Sequence, residues 1–454
     1  MTAAYDLLFI ADNLSLIDAQ KRYQKRRKKL MDTCSNGLII ISGETESLHS
    51  DKPWLLAHLP IYQDPVLLFY TGINQLKAWL ILDPKNNKEY IVLPKKDDKL
   101  AFWDGAHFGC GSSAAVKEVM SITGIQHVLS AEEAWPLVLQ STKHHLFWHK
   151  KTNPAQNVIK DCHYRFKLSL KKQLLKAKKQ SIVSNCDDAI WQQRLCLDET
   201  DITNMKEANN ITGAIFTGLV NRIKTFQSEQ AVSGYLKGEI ATRTCYGESF
   251  PPIIAAGKNA GVLHYTKNNE AFEGAPLLLL DFGVRYFNMP SDVSRTIPVN
   301  GVYSPLQKLT YNIVLDAQKK VEKMVKAGVA IAQLNRCCWD AIETDLKEQI
   351  LDKGGIVKRA YKQTPHNVSH LMGLLVHDGD PARHYRDTPL QPGMVISNEP
   401  GLYGYFEATI NGTLYKEHIG IRIEDDLLVT DDGCVNLSAH IPKECAQIEA
   451  LVTK

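Results

Sequence analysis

Residues 277–296 read LLLLDFGVRYFNMPSDVSRT. An apolar run ends in Asp281, and Asp292 follows beyond the turn-prone residues 287–290. The pattern predicts two strands joined by a hairpin, which would bring the two carboxylates close across the strands. Close carboxylates repel, and one pKa rises unless a cation neutralises the pair. On its own the pair therefore reads either as a metal site or as two surface aspartates flanking a turn.

The flanks extend this reading. Upstream, DETDITNMKEANNITGAIFTGLVNRI (198–223) opens with an acidic cap, and its apolar residues recur at three and four, as on an amphipathic helix. Further helices are expected near 228–246 and, after Ser304-Pro305, near 304–326. Strand-like runs lie between and after them: GMVISNEPGLY (393–403) and HIGIRIEDDLLVT (418–430). Long helices alternating with hairpins predict an α+β fold, not a doubly wound parallel sheet.

Three histidines, His366, His370 and His377, fall within TPHNVSHLMGLLVHDGD (364–380). The first two are spaced to share a helix face, although the HExxH of a zincin is absent. Each alone reads more readily as a structural histidine than as a ligand, and three within twelve residues shift the reading toward a site. Glu399 precedes a Pro-Gly turn. In 418–430 the alternation puts Arg422 and Glu424 on one face and Ile421, Ile423 and Asp425 on the other. Such charged residues also occur on exposed strand faces.

The N-terminal third alternates short apolar runs with turn residues: GLIIIS (37–42), VLLFYTG (66–72), AWLILD (78–83) and EYIVLP (89–94). Read as strands, with helices near 15–31, 112–123 and 131–140, they predict a mixed α/β domain. A Lys-rich stretch between 144 and 180 differs from both flanks. The expected division is 1–175 and 176–454. At 454 residues the chain exceeds one ordinary core.

Composition narrows the function classes. Apolar residues make up 44% and charged residues 23%, ordinary for a globular protein. A net charge of +3 does not suggest a nucleic-acid partner, and the basic run KRYQKRRKK (21–29) reads as a solvated helix face. No uncharged apolar run approaches a membrane span, and the N-terminus lacks a basic signal-like segment. Ten cysteines without CxxC spacing read as reduced thiols, so the expected location is cytoplasmic.

The order Asp281, Asp292, His370, Glu399, Glu424 resembles the five metal ligands of the pita-bread metallopeptidases, the creatinase/aminopeptidase fold of methionine aminopeptidase, prolidase and aminopeptidase P. The resemblance covers residue 200 to the C-terminus. Its wording is closest to the aminopeptidase P branch: VLHYTKN (262–268), SDVSRTIPVNGVYSP (291–305), SHLMGLLVHD (369–378), NEPGLY (398–403), GIRIEDD (420–426) and the tail CAQIEAL (445–451). DPVLLFYTGINQLKAWLIL (64–82) is similar to the extra N-terminal domain of aminopeptidase P and prolidase.

The resemblance implies a metal-dependent exopeptidase that releases the first residue from peptides with proline second. Prolidase activity, or a non-catalytic binding protein on the same fold, are the alternatives. Asp292 and Glu424 would bridge two divalent metals, Asp281 would bind one, and His370 and Glu399 the other. Four carboxylates and one imidazole form a hard donor set that suits Mn2+ better than zinc. Two such ions can hold a bridging water, lower its pKa and polarise the scissile carbonyl.

By the same resemblance Glu399 would accept the water's proton, His377 would stabilise the oxyanion and His264 would contact the substrate. His366 would line the proline pocket, and Arg422 would orient a ligand carboxylate. A homo-oligomer, dimer or tetramer, is implied, with no membrane or nucleic-acid partner. The sequence departs from the family at Asn367, Asn398, Ala255-Ala256-Gly257 and a loop at 404–418. None of these replaces a ligand.

Overall fold

The computed structural model describes residues 14–44, 63–104, 106–148, 162–243, 246–274, 276–380 and 383–452. Cys245, and residues 149–161 of the Lys-rich stretch, lie outside them. The chain forms two compact units, Met1–Arg194 and Leu195–Lys454. The division falls beyond the expected 175/176 because strand Ile182–Asn185 pairs in parallel with Lys143–Leu146 and so extends the first unit's sheet. Among the described residues, no helix is long and apolar enough to cross a membrane.

The first unit is a mixed α/β domain. Its six-stranded sheet centres on Leu38–Ser42, which pairs antiparallel with Trp79–Asp83 and parallel with Lys143–Leu146. LIIIS and WLILD are buried throughout, as continuous apolar runs must be. Two expectations fail here. The run expected to be a strand at 66–72 is helix Pro65–Thr71. Asp64 caps it by accepting the Val66 and Leu67 N–H groups at 2.8 and 3.2 Å, Pro65 starts it, and Gly72 stops it at φ 69°.

The basic run lies in helix Leu16–Thr33, yet it is not a solvated face throughout. Tyr23, Arg26 and Arg27 are buried. Arg27 donates to the Tyr70 carbonyl at 3.0 Å and to Glu89 Oε2 at 2.9 Å, and Arg26 lies 4.0 Å from the centre of the Phe69 ring.

In the second unit every paired strand is antiparallel, consistent with the α+β expectation. Its long helices are α1 (Glu199–Val220), α2 (Glu229–Arg243), α3 (Pro305–Met324) and α4 (Ile331–Leu346). Asp198 caps α1, and Ser304 with Gln307 forms a capping box on α3. Helix α4 was not foreseen.

Strands β1 (Ile253–Ala256), β2 (Leu277–Phe282) and β3 (Val293–Pro298) form one sheet in the order β3-β2-β1. Short β4 (Leu371–Met372), β5 (Val395–Asn398) and β8 (Asp425–Val429) belong to a second. Long β6 (Gly401–Ile410) and β7 (Thr413–Arg422) belong to a third. Phe216, Leu280, Tyr311, Ile342 and Phe406 share one apolar core that joins these helices and sheets.

Three local features differ from the sequence reading. Residues 404–418 are not a loop. They form most of the β6–β7 hairpin, which turns at Asn411 and Gly412 with φ of 51° and 78°. His366 and His370 share no helix face, since 366–370 is irregular chain leading into β4. The 418–430 strand is broken: β7 ends at Arg422, and the chain crosses to another sheet before Asp425. Bonds to β3 secure that crossing, from Glu424 N–H to Ser294 O at 3.0 Å and from Arg422 N–H to Thr296 Oγ1 at 3.1 Å.

Candidate metal centre

The β2–β3 register sets Ser294 opposite Asp281 and Val293 opposite Phe282, so Asp292 enters the next step of the ladder. Only glycine fits at 283, because a Cβ there would collide with the Ser291 carbonyl. The close approach holds the chain between the two aspartates. Asp292 N–H also donates to Asp426 Oδ2 at 3.1 Å, and Asn209 of α1 donates to the same oxygen at 2.8 Å.

Glu424, on the crossover, completes a buried group with Asp281 and Asp292, one oxygen of each lying within 4.8 Å of the others. A second group on the same limit is His370, Glu399 and Glu424, and a third is Asp292, His370 and His377. His370 Nε2 lies 3.5 Å from Asp292 Oδ2, 3.5 Å from Glu399 Oε1 and 4.0 Å from Glu424 Oε1. All five residues singled out from the sequence as ligands therefore converge. Asp292 and Glu424 are the two carboxylates shared between groups.

The electrostatics of this cluster are unfavourable without a cation. Burial, then repulsion from neighbouring carboxylates, raises Asp292 and Glu424 well above the usual carboxylate range. Glu399 is pushed up to about 8, first by burial, with Asp281 also raising it and Arg422 opposing. Asp281 Oδ1 is buried and has no hydrogen-bond partner. His370 is driven down to about 3 by burial and then by His377, so it is neutral. With Nδ1–H donating to the Leu371 carbonyl at 3.4 Å, its Nε2 lone pair faces carboxylate oxygens. An orphaned oxygen, a lone pair aimed at anions and four clustered carboxylates fit the donor set that a divalent cation requires.

Arg422 is a buried cation that bonds directly to this cluster, and half-buried Arg386 also acts on Glu399 and His370. Arg422 donates to Asp281 Oδ2 at 2.5 Å, to Ser294 Oγ at 3.0 Å and to Tyr403 OH at 3.1 Å. Burial opposes its charge, but Tyr403 and the carboxylates outweigh that and raise its pKa. Tyr403 OH also meets His366 Nε2 at 3.1 Å, and His366 stands edge-on to Trp339. Burial takes His366 down to about 4. His377 is exposed and stands edge-on to His370, with ring centres 4.3 Å apart. His264 is exposed in a turn and lies near enough to help lower the pKa of both His366 and His377.

Sequence reading missed the hydroxyls that tie the ligands together. Ser294 Oγ donates to Glu424 Oε2 at 2.7 Å while accepting from Arg422. Ser397 Oγ accepts the His370 N–H at 3.0 Å and donates to Glu399 Oε1 at 3.4 Å. Each serine sits two residues from a ligand, Asp292 or Glu399, so strand parity was a signal for both. On the opposite face, Arg295 and Lys443 grip Asp425 at 2.7 and 2.5 Å. Burial would raise that carboxyl, but the two cations hold it well below the usual range.

A profile of metallopeptidase family M24 matches residues 203–431, and one of the aminopeptidase P N-terminal domain matches residues 23–147. The chain is 27% identical to Xaa-Pro aminopeptidase 3 of Homo sapiens, with 96% of this chain and 86% of that protein covered. It is also 27% identical to the Xaa-Pro aminopeptidase of Escherichia coli (strain K12), over 96% of this chain and 98% of that one. The solved aminopeptidase P of Escherichia coli superposes with a TM-score of 0.78 at 23% identity, covering 96% of this chain and 98% of that one. At that identity the likeness is one of fold, the pita-bread architecture with its N-terminal domain. With the first profile spanning half of its length and the fold and buried carboxylate cluster agreeing, the chain belongs to metallopeptidase family M24.

Proposed function

We propose that the chain is a metal-dependent Xaa-Pro aminopeptidase, releasing the first residue from peptides that carry proline second. The observation that carries this is the convergence of Asp281, Asp292, His370, Glu399 and Glu424 on one buried, anion-rich centre. The substrate class rests on the names of the curated relatives. It also fits the chemistry, since an Xaa-Pro bond lacks the N–H that extended-peptide proteases grip.

Asp292 and Glu424 would be shared by two divalent cations, with Asp281 on one side and His370 and Glu399 on the other. When bound, such a pair supplies Lewis acidity and a water of lowered pKa. The oxygen-rich donor set favours Mn2+. Glu399 would accept the attacking water's proton. The proton ends on the departing proline nitrogen as the C–N bond breaks. His377 would donate to the developing oxyanion. Exposed His264 would contact the peptide beside the scissile bond. His366, fixed between Tyr403 and Trp339, would form one wall of the proline pocket. Arg422 would orient Asp281 and Tyr403 through its three hydrogen bonds.

A reducing, cytoplasmic setting is supported by the absence of a disulfide among the described cysteines. Hydrolysis of an Xaa-Pro-Xaa tripeptide by metal-stripped protein, with and without added Mn2+, tests the proposal. Activity should return only with the metal, and Glu399→Ala should abolish it while leaving the fold intact. Turnover of Xaa-Pro dipeptides alone would instead indicate a prolidase. Near-normal turnover by Glu399→Ala would sink the assignment.

A further inference from the structure

The N-terminal unit holds a cleft of about 530 Å³ that the peptidase chemistry does not use. One wall is a face of helix Leu16–Thr33, where Lys21, Lys25 and Lys28 recur at spacings of four and three and so stand above one another. The other wall brings Lys88 and Glu89 together with His127, whose ring stacks on Tyr90 at 4.8 Å.

The carboxylate in this cleft is already spent. Glu89 is bound at 2.9 Å by Arg27, a side chain only 1% exposed. Lys21 and Lys28 have partners on their own helix, Asp18 at 3.5 Å and Asp32 at 2.5 Å. Lys25 and Lys88 make no ion pair among the described residues.

Like charges at this helical spacing destabilise the helix, and a solvated convex face would let them spread. Here they line one concave surface together with Lys88, which focuses a positive potential. The volume lies in the range of small-molecule sites, roughly 300–1,000 Å³, and exceeds what one phosphate would fill. We infer that this cleft binds a compact polyphosphate anion, with Lys25 and Lys88 from opposite walls as its principal contacts and Lys21 and Lys28 in support. The phosphate chain is the recognised chemistry, whether it comes as inorganic polyphosphate or as a nucleoside triphosphate.

Isothermal titration of the full-length chain with inorganic tripolyphosphate, and separately with ATP, tests this at fixed ionic strength. Chelation at the metal centre contributes equally in variants of the cleft and subtracts out. One-to-one binding of both probes is expected, weakening steeply with salt and falling at least about tenfold in K25E/K88E. Charge reversal of the exposed Lys171 and Lys172 (K171E/K172E), outside the cleft, should leave it unchanged. Thermal melting of each variant checks that it is folded. The inference is overturned by no saturable binding, by equal binding to folded K25E/K88E, or by an equal loss in K171E/K172E. Binding of ATP without tripolyphosphate would overturn it too, since the base would then be the recognised group, as would binding of single-stranded RNA alone.

Discussion

Tyr403 is where the centre's second layer converges. Its hydroxyl receives a hydrogen bond from Arg422 and meets His366 Nε2, both at 3.1 Å. Because His366 Nδ1–H donates to the Asn367 carbonyl at 2.9 Å, Nε2 accepts and the tyrosine donates. Burial pushes Tyr403 up to about 12, so it stays protonated in this role. A chain thus runs from Asp281 through Arg422 and Tyr403 to His366. Tyr403→Phe would leave Nε2 and one guanidinium N–H unpartnered, a loss of about 1–3 kcal/mol. The expected result is a fall of about tenfold or more in kcat/KM on an Xaa-Pro tripeptide, with metal content unchanged by elemental analysis. Normal kinetics would remove Tyr403 from the network. The five candidate ligands were legible because their order, Asp, Asp, His, Glu, Glu, carries the family resemblance, and the structure brings them together. Ser294 and Ser397 were missed although each lies two residues from one of these, on the same strand face, and Asp426 was missed because a carboxylate that holds a backbone N–H carries no distinctive spacing.

The elements were legible where the period was clean and illegible where caps or turns decided. Helix α1 and the Ser304-capped α3 follow from their apolar spacing. The helix Pro65–Thr71 does not, because six buried residues in a row carry no period, and Asp64, Pro65 and Gly72 settle the matter locally. The β6–β7 hairpin was missed although Asn411-Gly412 is the dipeptide that a two-residue turn with positive φ demands. That turn gives a clean test. A Cβ on Gly412 would meet nothing within 4 Å, so Gly412→Ala costs only the left-handed backbone, about 1–2 kcal/mol. Melting should drop by roughly 2–4 °C per kcal/mol lost in a unit of this size. Since β7 delivers Arg422, activity should persist at low temperature and disappear earlier on warming. An unchanged melting temperature would mean that the hairpin contributes nothing to the unit's cooperative unfolding.

Across the whole molecule, the buried centre makes stability depend on pH and metal together. Glu399 rises from 4.5 to about 8 on folding, and Asp292 and Glu424 move the same way. Between about pH 4.5 and 8 the folded, metal-free protein therefore binds more protons than the unfolded chain, so its stability falls as pH rises through that window. His366 and His370 act on the acid side. Held neutral at about 4 and 3 against 6.5 in the unfolded chain, they contribute stability above pH 6.5 that is lost as pH falls toward those values. The metal-free protein should thus melt highest in mildly acidic solution and lower on either side. Divalent cations held by the ionised carboxylates and neutral imidazole would remove the alkaline penalty. The gain in melting temperature on adding Mn2+ should consequently grow from pH 5.5 to pH 8. Scanning calorimetry of stripped and reloaded protein across that range measures it. A gain that shrinks with pH, or is absent, would mean that these carboxylates are not what the metal neutralises.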